Sequence, residues 1–153
     1  MQKKLSEYLI KRAEERLPAE IVERLSQIPV RETTEAGYDE FGFNPEFLKI
    51  IAGPGLHLYR DWFRTETCGI ANIPVEGPAL LIANHSGQLP IDGFMITVAC
   101  LMEMDTPRLP RAMIEKWIPS LPHISIIFSR VGQVAGLMEN AEKLLAAGAE
   151  LIE

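Results

Sequence analysis

Leu5, Leu9, Ala13, Leu17, Ile21 and Leu25 recur every four residues, the spacing that lines one face of an α-helix. Lysine, arginine and glutamate fill the intervening positions. The pattern predicts helix over residues 3–27, divided in two at Pro18, whose ring removes a donor and crowds the preceding turn. The polar face mixes Glu14, Glu15, Arg16, Glu20, Glu23 and Arg24, which suits a solvated packing helix better than a membrane-surface helix. Residues 29–46 hold Pro29, Gly37, Gly42 and Pro45 among acids and read as an irregular connector. Between 45 and 66 the apolar density returns: Phe47, Leu48, Ile50, Ile51, Leu56, Leu58, Tyr59, Trp62 and Phe63 alternate with Lys49, His57, Arg60 and Arg64. Gly53, Pro54 and Gly55 interrupt them, predicting a helix, a kink or break, and a second helix. Aromatics flanked by arginine suit a core-facing helix first and an interfacial membrane contact second.

From residue 67 the rhythm shortens. Residues 70–75 read as an edge segment and turn, and 79–83 as a buried strand. Residues 91–104 are helical, with Asp92 in the first turn, and 107–112 are extended. A short helix begins at Glu115 and is closed by Pro119 and Pro122. The run 124–128 reads as a second buried strand ending at Ser129 and Arg130. Residues 139–147 form a helix stopped by Gly148, a natural C-cap, and 149–152 start a third strand. Strands alternating with helices define the expected class: α/β, a partly parallel sheet covered by helices, with an N-terminal helical region. The division is a helical region and connector over 1–66 and an α/β core over 67–153.

Composition narrows the function classes. A chain of 153 residues is one domain or part of a larger one, and 47% hydrophobic residues supply a core. The net charge of −6 offers no basic field to meet phosphates, so general nucleic-acid binding is not expected. Cys68 and Cys100 have no CxxC partner and read as buried thiols in a reducing compartment rather than a disulfide framework. The N-terminus lacks the apolar core of a signal peptide. The longest nearly uncharged apolar stretch after the histidine, residues 94–102, is far short of the roughly 20 residues that span a bilayer.

The chemistry concentrates where the 79–83 run stops. Asn84, His85, Ser86 and Gly87 follow directly, and Asp92 lies seven positions past the histidine. A histidine at a strand mouth with a carboxylate nearby is the minimal general base and its orienter. The histidine takes a proton from a hydroxyl, and the carboxylate holds the tautomer and stabilises the imidazolium. Arg130 after the 124–128 run offers a guanidinium fork for phosphate or carboxylate. Two strands each delivering such a group predict one shared cavity for His85 and Arg130. The bland alternatives are a solvated histidine–aspartate pair and a surface arginine.

The segment from Asn84 and His85 to Asp92, with Phe128, Ser129 and Arg130, resembles the glycerophospholipid acyltransferase superfamily, which includes lysophosphatidate and glycerol-3-phosphate acyltransferases. That family has Asn-His followed by Asp, usually with four residues between, and later an apolar strand ending in Arg. Here six residues separate His85 from Asp92, as in a bacterial branch of acyltransferase-like proteins. The resemblance covers roughly residues 67–153. It implies His85 as base, Asp92 as orienter and Arg130 as phosphate clamp, with Asn84 and Ser86 bonding the loop or the reacting groups. It implies acyl-CoA or acyl carrier protein as donor, a lipid acceptor, no metal or other cofactor, and a cytoplasmic enzyme peripheral on the inner face of the membrane. The family's third motif, Phe-Pro-Glu-Gly, is absent from these residues. The expectation is therefore a C-terminally truncated core, inactive or nearly so, with its last strand incompletely paired.

Three other functions compete. One is acyl transfer to a neutral lipid alcohol, in which Arg130 is a structural residue or a carrier contact. Another is a non-catalytic lipid-binding fragment. A serine hydrolase is weaker, because Ser86 lies beside His85 but no Gly-x-Ser-x-Gly elbow exists.

Overall fold

A computed structural model describes residues 2–29, 33–35, 37–85 and 90–152. Helix α1 (Gln2–Glu14) and helix α2 (Ala19–Ser26) flank Pro18, which caps α2 from a position where its missing N–H costs nothing. Ile21 and Leu25 of α2 are buried. Helix α3 (Pro45–His57) opens on Asn44, whose Oδ1 accepts from the Phe47 N–H at 3.2 Å, with proline at the first helical position.

The expected break at Gly53, Pro54 and Gly55 does not occur. The helix runs through and widens into a π turn over Leu58–Trp62. Packing explains why. A Cβ on Gly55 would stand 2.9 Å from Cζ of Phe94, so this glycine serves a close helix–helix approach. Leu48, Ile51, Ala52 and Leu56 pack in one cluster with Ile21, Leu25 and Leu101. That burial outweighs the single hydrogen bond Pro54 removes. The π turn points Tyr59 inward, where its hydroxyl donates to Glu103 at 2.9 Å and pairs with Thr67 at 2.6 Å.

Helix α4 (Ile91–Glu103) lies as expected, with Thr97 to Leu101 all buried. Arg24 of α2 donates to the carbonyls of Leu101 and Met104, satisfying the end of α4 that has no helical partners. Helix α6 (Met138–Ala146) also agrees, and Gly148 follows it at φ +76°. Residues 70–75 differ: they begin with a 3-10 turn over Ile70–Asn72 rather than an extended edge.

The sheet is parallel throughout, in the order β1 (Ala79–Leu81), β4 (Glu150–Ile152), β2 (Arg111–Ile114), β3 (Val134–Ala135). Ala79 is opposite Glu150, Leu151 opposite Arg111 and Met113 opposite Val134. The α/β class, with a parallel sheet and helices, is what the alternation predicted.

Three strand expectations are corrected. Residues 124–128 form helix α5 (Ile124–Arg130), with Ile124, Ile126 and Ile127 exposed. A five-residue apolar run fits a strand or a helix equally, and Val134–Ala135 takes the sheet position instead. The stretch read as extended over 107–112 contains the start of strand β2 at Arg111; Pro107 and Pro110 before it have no N–H for an interior ladder. The 79–83 segment is an edge rather than a buried strand: only three residues pair, Leu80 is 46% exposed and Ile82 80%. Strand β4 is inner, paired on both sides, and wholly buried, so the expected lack of pairing is overturned.

Candidate functional site

All strands point the same way, so their C-terminal ends share one edge. Asn84 and His85 lie on exposed chain just past the end of β1. Asp92 sits in the first turn of α4, where the helix dipole favours a carboxylate. The two meet. His85 Nδ1 lies 2.8 Å from Oδ1 and 2.9 Å from Oδ2 of Asp92. The Gly93 N–H donates to Oδ1 at 2.8 Å, and Thr97 Oγ1 bonds the Gly93 carbonyl at 2.9 Å. The carboxylate is thus fixed to a helix whose next turns are buried.

An ionised carboxylate only accepts, so the pair places the imidazole hydrogen on Nδ1 and the basic lone pair on Nε2. The histidine side chain is 52% exposed and the aspartate 30%. This is the geometry of an oriented base facing solvent. The six intervening residues do not prevent the contact, as the turn-forming composition of the loop predicted. Ser86 lies outside the described residues, and so does the expectation that it bonds the loop or the reacting groups.

Arg130 stands elsewhere in the fold than expected. It is the last residue of α5, not the end of a strand. Its guanidinium carbon lies 3.7 Å from the centre of the Tyr38 ring, and its carbonyl accepts from the Asn44 N–H at 3.2 Å. The argument that two strand ends bring His85 and Arg130 to one side therefore fails. The strand that does reach that edge, β3, is followed by Gly136, whose N–H bonds the Ile114 carbonyl at 2.8 Å. Among the described residues no group of three histidine, cysteine, aspartate or glutamate side chains is arranged to hold a metal ion. None of the described helices is long and apolar enough to cross a membrane.

A second polar constellation had no local signal in the sequence. Asp39 of the connector and Arg111 at the start of β2 pair at 2.7 Å with side chains 2% and 5% exposed. Arg108 and Glu150 approach to 3.4 Å and are equally buried. Asp39 and Arg111 are far apart in the chain, and only the fold joins them.

No protein-family profile matches the chain. It is 38% identical over 119 residues to an uncharacterized protein of Mycobacterium leprae. It is 39% identical over the same length to uncharacterized proteins of Mycobacterium bovis and Mycobacterium tuberculosis. The matched region is 77% of this chain but 32% of the leprosy bacillus protein and 33% of the other two. The chain thus spans about a third of the length of the curated relatives it matches. No solved structure matches it.

Proposed function

We propose that this chain carries the base of an O-acyltransferase, which moves a fatty acyl group from acyl-CoA or acyl carrier protein to a hydroxyl of a lysophospholipid or glycerol phosphate. The observation that carries the reading is the Asp92 carboxylate on Nδ1 of His85, together with the resemblance around those residues. Nε2 takes the hydroxyl proton as that oxygen attacks the thioester carbonyl. The tetrahedral intermediate collapses, the carbon–sulfur bond breaks, and the leaving thiolate recovers the proton from the imidazolium. Asp92 stabilises the imidazolium between those steps. The thioester is itself an activated acyl donor, so this sequence needs no further group.

A peripheral seat on the inner face of the membrane belongs to the same reading. Trp62 and Phe63 are exposed beside Arg60 and Arg64, a composition suited to a lipid interface.

One observation favours the neutral-alcohol acceptor as a second reading. Arg130 stacks on Tyr38 at a helix end, so the strand-end argument for a phosphate clamp is gone.

The test expresses the complete reading frame that encodes these residues. Thioester-dependent acylation is measured with lysophosphatidate and with a neutral lipid alcohol. His85→Ala and Asp92→Asn are expected to lower turnover about 10²–10⁴-fold with the fold intact. Preserved turnover in His85→Ala, or no thioester-dependent product with either acceptor, overturns the proposal. Equal use of both acceptors by wild type and Arg130→Ala selects the neutral-alcohol reading.

A further inference from the structure

With Arg130 off the strand edge, a phosphorylated acceptor at His85 needs a cation from elsewhere. Many of the described cations are engaged. Arg24, Arg108 and Arg111 are bound to carbonyls, and Lys49 and Lys143 to glutamates. Arg60 and Arg64 are exposed, and among the described residues they make no ion pair, side-chain hydrogen bond or ring contact. Asp61, the acid that follows Arg60, is taken by Nδ1 of His57 at 2.8 Å.

The segment that carries them packs against the start of α4. Tyr59 shares a buried cluster with Val98 and Ala99, and its hydroxyl bonds Glu103. Further on, Thr65 Oγ1 bonds Sδ of Met95 at 3.3 Å. Residues 59–65 therefore run along α4 toward its N-terminus. Met95 comes three residues after Asp92, so the two are neighbours on the helix surface, about 4.5 Å apart along its axis. Methionine side chains on a helix lean toward the N-terminus, which brings the Thr65 contact closer still to the turn that orients His85.

The backbone adds a second observation. Arg64 has φ +49°, a left-handed conformation that favours glycine. The conformation lets the Thr65 N–H bond back to the Tyr59 carbonyl at 2.9 Å, as at many helix ends. That turn calls for glycine, not arginine. A cation suits a helix C-terminus, but neither guanidinium donates to its carbonyls among the described residues. Such positions cluster at ligand clamps.

The chemistry selects the ligand. Two guanidinium groups four residues apart suit an anion with several oxygens and more than one charge, a phosphate monoester before a carboxylate. In a glycerol phosphate the free hydroxyl lies only a few bonds from the phosphate, so a hydroxyl at Nε2 of His85 sets the phosphate close by. Trp62 and Phe63, 70% and 44% exposed on the same segment, offer apolar cover for a chain carried by that phosphate.

We propose that Arg60 and Arg64 bind the phosphate monoester of the acceptor and hold it beside the base. The choice of acceptor rests on the acyltransfer reading; the binding itself needs no chemistry and is measured without it.

The experiment titrates the protein by calorimetry, with no acyl donor, using glycerol 3-phosphate, lysophosphatidate below its micellar concentration, and a monoacylglycerol. Wild type is expected to bind both phosphorylated compounds. Arg60→Gln and Arg64→Gln each weaken them about ten- to a hundredfold and leave the monoacylglycerol unchanged. Tighter binding of lysophosphatidate that Trp62→Ala reduces to the glycerol 3-phosphate value assigns the phosphate to a lipid; equal binding assigns it to the free compound. Arg64→Gly relaxes the backbone, so its urea midpoint holds or rises while phosphate binding falls. Unchanged binding in both Gln variants overturns the proposal. So does a loss of binding confined to Lys116→Gln, an exposed cation past the end of β2 on the edge that His85 shares. Phosphate binding that depends on Arg60 and Arg64 in a protein with no thioester-dependent turnover keeps this site and sinks the acyltransfer reading alone.

Discussion

Removing Asp39 tests whether the buried ion pair organises the fold. In Asp39→Ala, Arg111 keeps its bond to the Gly132 carbonyl and its rings, Phe41 and Phe43, 5.6 and 5.1 Å away. It loses the counter-ion it has among the described residues, at a site where its side chain is 5% exposed. The Phe41 and Phe43 N–H groups lose their acceptor in the same step. Stranding one member of a buried pair costs about 3–5 kcal/mol, a large share of the roughly 5–15 kcal/mol that holds a domain together. Equilibrium urea unfolding reads the change. With a slope of about 2 kcal/mol per molar, the midpoint moves down by roughly 2 M. Asp39→Asn keeps Oδ1 for the Phe41 and Phe43 N–H groups but sets an amide NH2 where Oδ2 accepted from Arg111, so it still strands the guanidinium and its cost is expected to stay near about 3–5 kcal/mol. The double variant Asp39→Leu, Arg111→Met removes both charges and is expected to be more stable than Asp39→Ala. If Asp39→Ala folds and costs under about 1 kcal/mol, the pair behaves like a solvated surface bridge and the reasoning fails. If it does not fold, Asp39→Asn supplies the reading.

Two further outcomes follow from the same core. Burial raises the Glu150 carboxyl above its ordinary range, with Arg108 opposing; the native state then holds this proton to higher pH than the unfolded chain, so the contribution is complete below about 4.3 and is lost as pH rises through the native value. Urea unfolding between pH 4 and 8 is expected to show a stability slope that Glu150→Gln flattens, and an unchanged slope counts against it. The expectation of two buried thiols holds for Cys100, whose thiol is pushed up to about 12, chiefly by burial and secondly by Glu150, and fails for Cys68, which is exposed. A thiol reagent at neutral pH is expected to modify Cys68 alone in native protein and to reach Cys100 only after unfolding.

What was legible in the sequence was local. Pro18 and Gly148 mark helix boundaries by backbone chemistry that needs no tertiary information, and both boundaries stand. The His85–Asp92 contact was legible for a similar reason: the two residues lie seven positions apart, and turn-forming residues stand between them in the sequence. What depended on neighbours was misjudged. Residues 124–128 are apolar enough for a buried strand, yet three of their isoleucines face outward from α5. Gly53, Pro54 and Gly55 carry every local signal of a break, and the Phe94 ring seated against Gly55 converts them to a helix–helix contact. The expectation for Arg130 fell with the strand it was built on.

The placement of α4 joins these observations. At its N-terminus it holds Asp92 against His85. Along its middle, Thr97 to Leu101 are buried, so the helix cannot shift without disturbing the core. At its C-terminal end, Arg24 binds the carbonyls of Leu101 and Met104, and Glu103 accepts from buried Tyr59. A carboxylate meant to orient a base must be held more firmly than the base itself, because the imidazole has to meet substrate while its tautomer stays fixed. The structure has that asymmetry. His85 is the more exposed partner, on an open segment beyond an edge strand, and Asp92 is the less exposed one, on a helix fastened at its middle and its far end. At the opposite edge the charged groups among the described residues are buried, and Arg108, Arg111 and Asp39 are tied to backbone. The proposed base and the buried ion pairs therefore lie at opposite edges of one parallel sheet, so stability variants at Asp39 and Glu150 can be read separately from variants at His85 and Asp92.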